Sequence, residues 1–142
     1  MRANKLKCVL LVDDDGPTNY LNRFILEQTE ITSNIETAQS VNQALDLLDC
    51  PLQADCKVPD LIFLDINMPG LTGWDFIEAY REKKARKKNQ SVIIMLTTSA
   101  NPDDEMRAKT TACISGFCQK PLTMEVIDEI MEQHFACGGK KE

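Results

Sequence analysis

The chain has 142 residues, a length for one domain, and its 43% hydrophobic content can fold around a core without disulfide or metal staples. A formal net charge of −6 argues against general nucleic-acid binding, and no apolar run approaches membrane-spanning length. The basic opening before "CVLLV" superficially imitates an export signal. That run is only five residues long and ends in three aspartates, so it reads as a strand and the expected location is cytoplasmic.

Strand-like and helical runs alternate along the chain. The first strand, Cys8–Val12, runs into Asp13, Asp14 and Asp15. Pro17 then suits the first turn of a helix whose apolar stripe is Tyr20, Leu21, Phe24 and Ile25. A weak strand at Asn34–Ala38 leads to Ser40 and Gln43, spaced as a capping box before Val41, Ala44, Leu45 and Leu48. "CPLQADCKVP" (Cys50–Pro59) reads as a loop. The third strand, Leu61–Leu64, meets Asp65, Asn67 and a Met-Pro-Gly turn, and Trp74, Ile77 and Tyr80 mark the next helix. Its end carries a basic run, Arg81–Lys88, with six basic residues and one acid. That suits the negative end of a helix dipole and a solvated face.

The fourth strand, Val92–Leu96, is followed by Thr97, Thr98 and Ser99. Asn101-Pro102-Asp103-Asp104-Glu105 has the cap, proline and acids of a helix start. A short strand, Gly116–Gln119, precedes Lys120-Pro121, and Val126, Ile127, Ile130 and Met131 stripe the last helix. The sole histidine, His134, lies at its far end and reads as an amphipathic surface residue. Residues 1–135 form the expected single domain, with 136–142 a short tail and no output domain. None of the six cysteines forms C-x-x-C, and His134 is not at zinc spacing from any pair. Reduced thiols are expected, with Cys50 and Cys56 able to pair under oxidation.

Five strands alternating with five helices imply βαβ units, hence an α/β, doubly wound parallel sheet covered on both faces. In that architecture a ligand binds outside the carboxyl ends of the strands. Those ends collect Asp13–Asp15, Asp65, the Thr97–Ser99 hydroxyls and Lys120 on one rim. Two carboxylates about 4 Å apart repel by roughly 4 kcal/mol at an effective dielectric near 20. One of them must be protonated, or a cation must sit among them. Hard oxygen donors suit Mg²⁺, which keeps several waters and accepts a phosphate oxygen. Lys120 adds a compact positive charge that can meet a phosphoryl group. A carboxylate nucleophile, a divalent metal and a lysine are the parts for phosphoryl transfer through an aspartyl phosphate.

The stretches "LLVDDD" (Leu10–Asp15), "LDINMPGLTGWD" (Leu64–Asp75), "LTTS" (Leu96–Ser99) and "GFCQKPL" (Gly116–Leu122) occur in order, each around a strand end. With them the chain resembles the receiver domains of two-component response regulators, of the stand-alone chemotaxis-receiver-like type, from about Lys5 to Phe135. The resemblance implies a flavodoxin-like (βα)5 sandwich with strand order 2-1-3-4-5. It implies that Asp65 accepts a phosphoryl group. Asp14 would ligate Mg²⁺ directly, Asp13 mainly through water, and the backbone carbonyl of Asn67 would be a further ligand. Thr97, with Thr98 as its neighbouring alternative, matches the switch hydroxyl, and Lys120 the phosphoryl-contacting lysine. Pro121 matches a cis-proline and Phe117 an aromatic switch. The chain departs from the pattern in one extra residue between Thr97 and Lys120 and a long loop from Asp49 to Pro59.

The implied activity is phosphorelay signalling rather than conventional enzymatic turnover. The donor would be a sensor histidine kinase or a histidine phosphotransfer protein, with Mg²⁺ as cofactor. The fourth helix, fifth strand and fifth helix would engage an unnamed downstream protein, without nucleic acid or membrane. Asn67 and Ser99 would tune hydrolysis of the aspartyl phosphate. Two rival readings are a phosphorylation-independent interaction module on the same fold and an aspartyl-nucleophile phosphohydrolase. The second generally wants an acid two residues after the nucleophile, where Asn67 stands. Phe117 reads equally well as a core aromatic.

Overall fold

The structure, a computed structural model, describes residues 6–32, 34–49, 59–68, 70–86, 91–98, 101–111 and 113–135, without the side chains of 48–49 and 83–86. The elements are β1 (Val9–Val12), α1 (Gly16–Thr29), β2 (Ile35–Ala38), α2 (Val41–Asp49) and β3 (Leu61–Asp65), then α3 (Gly73–Arg86), β4 (Val92–Thr97), α4 (Pro102–Thr110), β5 (Gly116–Gln119) and α5 (Met124–His134). All neighbouring strands pair in parallel in the order β2-β1-β3-β4-β5, the doubly wound arrangement the sequence implies.

Strand side chains alternate between the two faces of a sheet, and the core divides accordingly. Val9, Leu11, Leu61, Phe63, Ile94 and Leu96 pack with Leu26 of α1 and Ile127, Ile130 and Met131 of α5. Leu10, Val12, Ile62, Leu64, Ile93 and Met95 pack on the other face with Val41, Ala44, Phe76, Ile77 and Ala108 from α2, α3 and α4. Apolar side chains on both faces explain why β1, β3 and β4 read as continuous hydrophobic runs.

Helix starts follow local chemistry. Asp15 caps α1 by accepting from the Thr18 amide at 3.1 Å, and Asn101 caps α4 by accepting from the Asp103 amide at 2.9 Å. Ser40 Oγ accepts from the Gln43 amide at 3.0 Å, while Gln43 Oε1 reaches back to the Gln39 amide at 2.7 Å. The box therefore closes one residue earlier than the standard pattern.

Helix α1 corrects the sequence reading. Its buried residues are Asn19, Asn22, Leu26 and Thr29, whereas Tyr20, Leu21 and Phe24 are exposed at 75%, 53% and 49%. Ile25 of the expected stripe still packs against the core, but the first three members face outward, and the inward position nearest the strand ends is taken by Asn19, whose polar bonds are described below. The cysteine expectation is corrected too. Cys8, fully buried just before β1, is disulfide-bonded, while Cys118 is a free thiol. Sequence spacing carried no sign of it, because disulfide partners meet through the fold. Cys50, Cys56 and Cys137 lie outside the described residues, as do the end of the basic run at 87–88 and the tail.

Candidate functional site

Register and pleat assemble the site. Val12 pairs with Leu64, so Asp13 emerges beside Asp65; Asp65 pairs with Leu96, and Thr97 with Gln119. Asp13 continues the alternation of Val9 and Leu11, Asp65 that of Leu61 and Phe63, and Lys120 that of Cys118, all toward the α1/α5 side. Thr97 follows Ile93 and Met95, and Phe117 pairs with Met95, so these two share the opposite pleat, toward α3 and α4.

Asp13 and Asp65 are buried, at 3% and 4% exposure, and Asp14 is exposed beside them. Lys120 Nζ donates to Asp13 Oδ2 at 2.5 Å and lies 3.2 Å from Asp65 Oδ1. Asp13 Oδ1 also accepts from the Asp15 amide at 2.9 Å. One carboxylate oxygen from each of Asp13, Asp14 and Asp65 falls within 4.8 Å of the others. At that spacing each like-charge pair costs ~3.5 kcal/mol at a dielectric near 20, and one ammonium cannot neutralise three carboxylates.

The electrostatic consequence is concentrated on Asp65. Burial, then the charge of Asp13, pushes its carboxyl up to about 6 from 3.8, against the pull of Lys120. For Lys120, burial acts downward, but the hydrogen bond to Asp13 and the charges of Asp65 and Asp13 prevail and raise it. The cluster is all hard oxygen with excess negative charge, a donor set that fits Mg²⁺.

Packing around Asp65 continues into α3. The Gly73 amide donates to Ile66 O at 2.9 Å, and a Cβ at Gly73 would fall 2.6 Å from Asp65 O, so only glycine fits. Trp74 follows, half-buried; its indole N–H donates to Asp104 Oδ1 at 3.2 Å, and the Arg107 guanidinium stacks 4.3 Å from its ring centre. Trp74 thus ties the start of α3 to α4. The expectations for the remaining candidates can be placed as well. Thr97 is fully buried and Thr98 exposed; Asn67 is exposed; Phe117 is half-buried against the α3/α4 core. The Thr97 carbonyl accepts from the Lys120 amide at 2.8 Å, and the Lys120–Pro121 peptide is cis. His134, the last residue of α5, is partly buried, which lowers its pKa, and Ser99 lies outside the described residues.

Sequence reasoning missed Asn19, which is 4% exposed and donates from Nδ2 to Asp13 O at 2.9 Å and to Ala38 O at 3.2 Å. The only available signal was an asparagine four residues after the helix cap.

Comparison with known proteins agrees with this geometry. The response regulator receiver domain family matches residues 9–132. The chain belongs to that family. Among solved structures, a two-component response regulator from Cytophaga hutchinsonii is 32% identical, with a TM-score of 0.82 over 92% of this chain and 97% of that one. The chemotaxis protein CheY of Pseudomonas aeruginosa is 29% identical over 89% of this chain and 94% of its own. Some relatives are longer: the chain spans 57% of the probable transcriptional regulator ycf29 of Cyanophora paradoxa, at 30% identity over 89% of this chain. The receiver family is one of signalling phosphoacceptors, and the acidic cluster of this receiver is where such chemistry has its parts. Among the described residues, no helix is long and apolar enough to cross a membrane.

Proposed function

We propose that this receiver accepts a phosphoryl group on Asp65 from the phosphohistidine of a sensor histidine kinase or histidine phosphotransfer protein. The observation that carries the reading is Asp65 itself: a buried carboxylate in contact with Lys120 and crowded by Asp13 and Asp14. Above pH 6 it is mainly ionised and nucleophilic, and the burial that raises its pKa also leaves its charge poorly solvated. An Asp65 oxygen bonds to phosphorus as the P–N bond to the donor imidazole breaks, its electron pair returning to the imidazole nitrogen. Lys120, already between Asp13 and Asp65, then meets the charge on the phosphoryl oxygens. Asp13, Asp14, Asp65 and the Asn67 carbonyl would hold Mg²⁺, which supplies neutralisation of the phosphoryl charge when bound. Attack of water on the phosphorus releases phosphate and restores the carboxylate. This is self-limited turnover rather than catalysis on an external ester.

Signalling follows from the opposite pleat. Thr97 turns toward the new oxyanions and Phe117 packs inward, changing the partner affinity of the surface formed by α4, β5 and α5. Met106 and Met124, at 62% and 44% exposure, give that surface apolar contact points. The exposed Tyr20, Leu21 and Phe24 lie on α1, the helix that starts at Asp15 directly after the acidic pair, and offer a protein donor a surface that a small donor does not need. The reading goes with a cytoplasmic location and with neither nucleic acid nor membrane as partner. Incubation with a small phosphodonor and Mg²⁺ tests it: acid-labile label on the wild type and none on Asp65→Asn supports the proposal. An unlabelled wild type would favour a phosphorylation-independent interaction module.

A further inference from the structure

Asp13 and Asp14 are consecutive, and consecutive side chains on an extended strand point to opposite faces. Yet both deliver an oxygen to the same 4.8 Å cluster with Asp65. The chain must therefore turn between them, and the orientation of the peptide joining Asp13 to Asp14 decides whether the two carboxylates converge. The carbonyl of that peptide is Asp13 O, and it is held by the Asn19 side chain at 2.9 Å. The other amide hydrogen goes to Ala38 O at 3.2 Å, the same carbonyl that accepts the Asp13 amide at 3.0 Å. One primary amide thus closes the ends of β1 and β2 and fixes the turn that follows.

The chemistry is specific to asparagine. Two donors are needed at the length of one methylene, and a carboxylate there would oppose two carbonyl oxygens. The cost is visible, since Asn19 Oδ1 is buried with no hydrogen-bond partner among the described residues. Apolar packing alone would place a residue like Leu26, two turns further along the same buried face, at this position.

We propose that Asn19 is a positioning residue for the divalent-cation site, holding the Asp13–Asp14 peptide so that both carboxylates face Asp65. This rests on the receiver reading above. Groups that orient metal ligands typically contribute about 10- to 100-fold in metal affinity. Asn19 acts on the backbone, one step removed, and the expected effect of Asn19→Ala is at the low end, about tenfold weaker Mg²⁺ binding.

The test is Mg²⁺ titration by calorimetry on wild type, Asn19→Ala, Asn19→Ser and Thr29→Val. Thr29 donates a buried hydrogen bond to Leu26 O at 2.7 Å at the far end of α1, so its loss destabilises the same helix without touching the rim. Asn19→Ala should raise the Mg²⁺ dissociation constant about tenfold. Asn19→Ser, which keeps one donor and guards against a misfolded alanine variant, should fall between it and wild type. Thr29→Val should bind Mg²⁺ as wild type does. Equal affinity for Asn19→Ala and wild type, or equal weakening by Thr29→Val, overturns the proposal while leaving the receiver reading intact. A wild type that binds no Mg²⁺ overturns both.

Discussion

Replacing Asp65 by asparagine should make the metal-free protein more stable, although it removes the proposed phosphoacceptor. In the folded chain the carboxyl is pushed up to about 6, mainly by burial and by Asp13, from a value of 3.8. Below pH 3.8 the group is protonated in both folded and unfolded chains and has no effect. Between the two values the folded chain retains a proton the unfolded chain has released, so stability falls as pH rises. Above 6 the full cost is present, at most ~3 kcal/mol from 1.36 kcal/mol per unit, and about 1–3 kcal/mol after solvent screening. A neutral asparagine escapes it. In EDTA at pH 8, Asp65→Asn should therefore gain about 1–3 kcal/mol in urea unfolding, with ~3 °C of Tm for each kcal/mol. Near pH 4 the gain should vanish. A variant less stable than wild type at pH 8, or equally stabilised at both pH values, would refute the picture of a crowded, desolvated carboxylate.

The same titration should govern metal binding, because protonated Asp65 is a poor ligand. Apparent Mg²⁺ affinity should fall about tenfold per unit below pH 6 and level off above pH 7, as read by calorimetry. Lys120→Met leaves Asp13 and Asp65 without their cation and should cost about 3–5 kcal/mol in EDTA, partly restored by millimolar Mg²⁺ in thermal melts. Phe24→Asp should slow phosphoryl transfer from a protein donor while leaving labelling by a small donor within twofold, measured side by side. Arg107→Ala removes the cation over the only tryptophan and should shift Trp74 emission without altering Mg²⁺ affinity.

What the sequence disclosed and what it hid have separate physical causes. Buried parallel strands leave unbroken apolar runs, so β1, β3 and β4 were legible, and whatever follows a strand end must land on the rim. Asp13, Asp14, Asp65 and Lys120 each follow such a strand end and therefore meet there. Helix α1 was misread because hydropathy assumes that apolar residues face inward. There the interior demanded hydrogen bonds to Asp13 O and Ala38 O, and Asn19 took the inward face while Tyr20 and Phe24 faced solvent. The disulfide at Cys8 and the Trp74 contacts with Asp104 and Arg107 were hidden for another reason: they join elements distant in sequence, which no local pattern encodes.

Borohydride can report which oxygen carries the phosphoryl group. Reduction of an acyl phosphate yields an alcohol, so peptide mass mapping after phosphorylation and reduction should find homoserine at position 65 alone. Homoserine at Asp13 or Asp14, or a fully unmodified peptide containing Asp65, would contradict the assignment of Asp65 as the nucleophile.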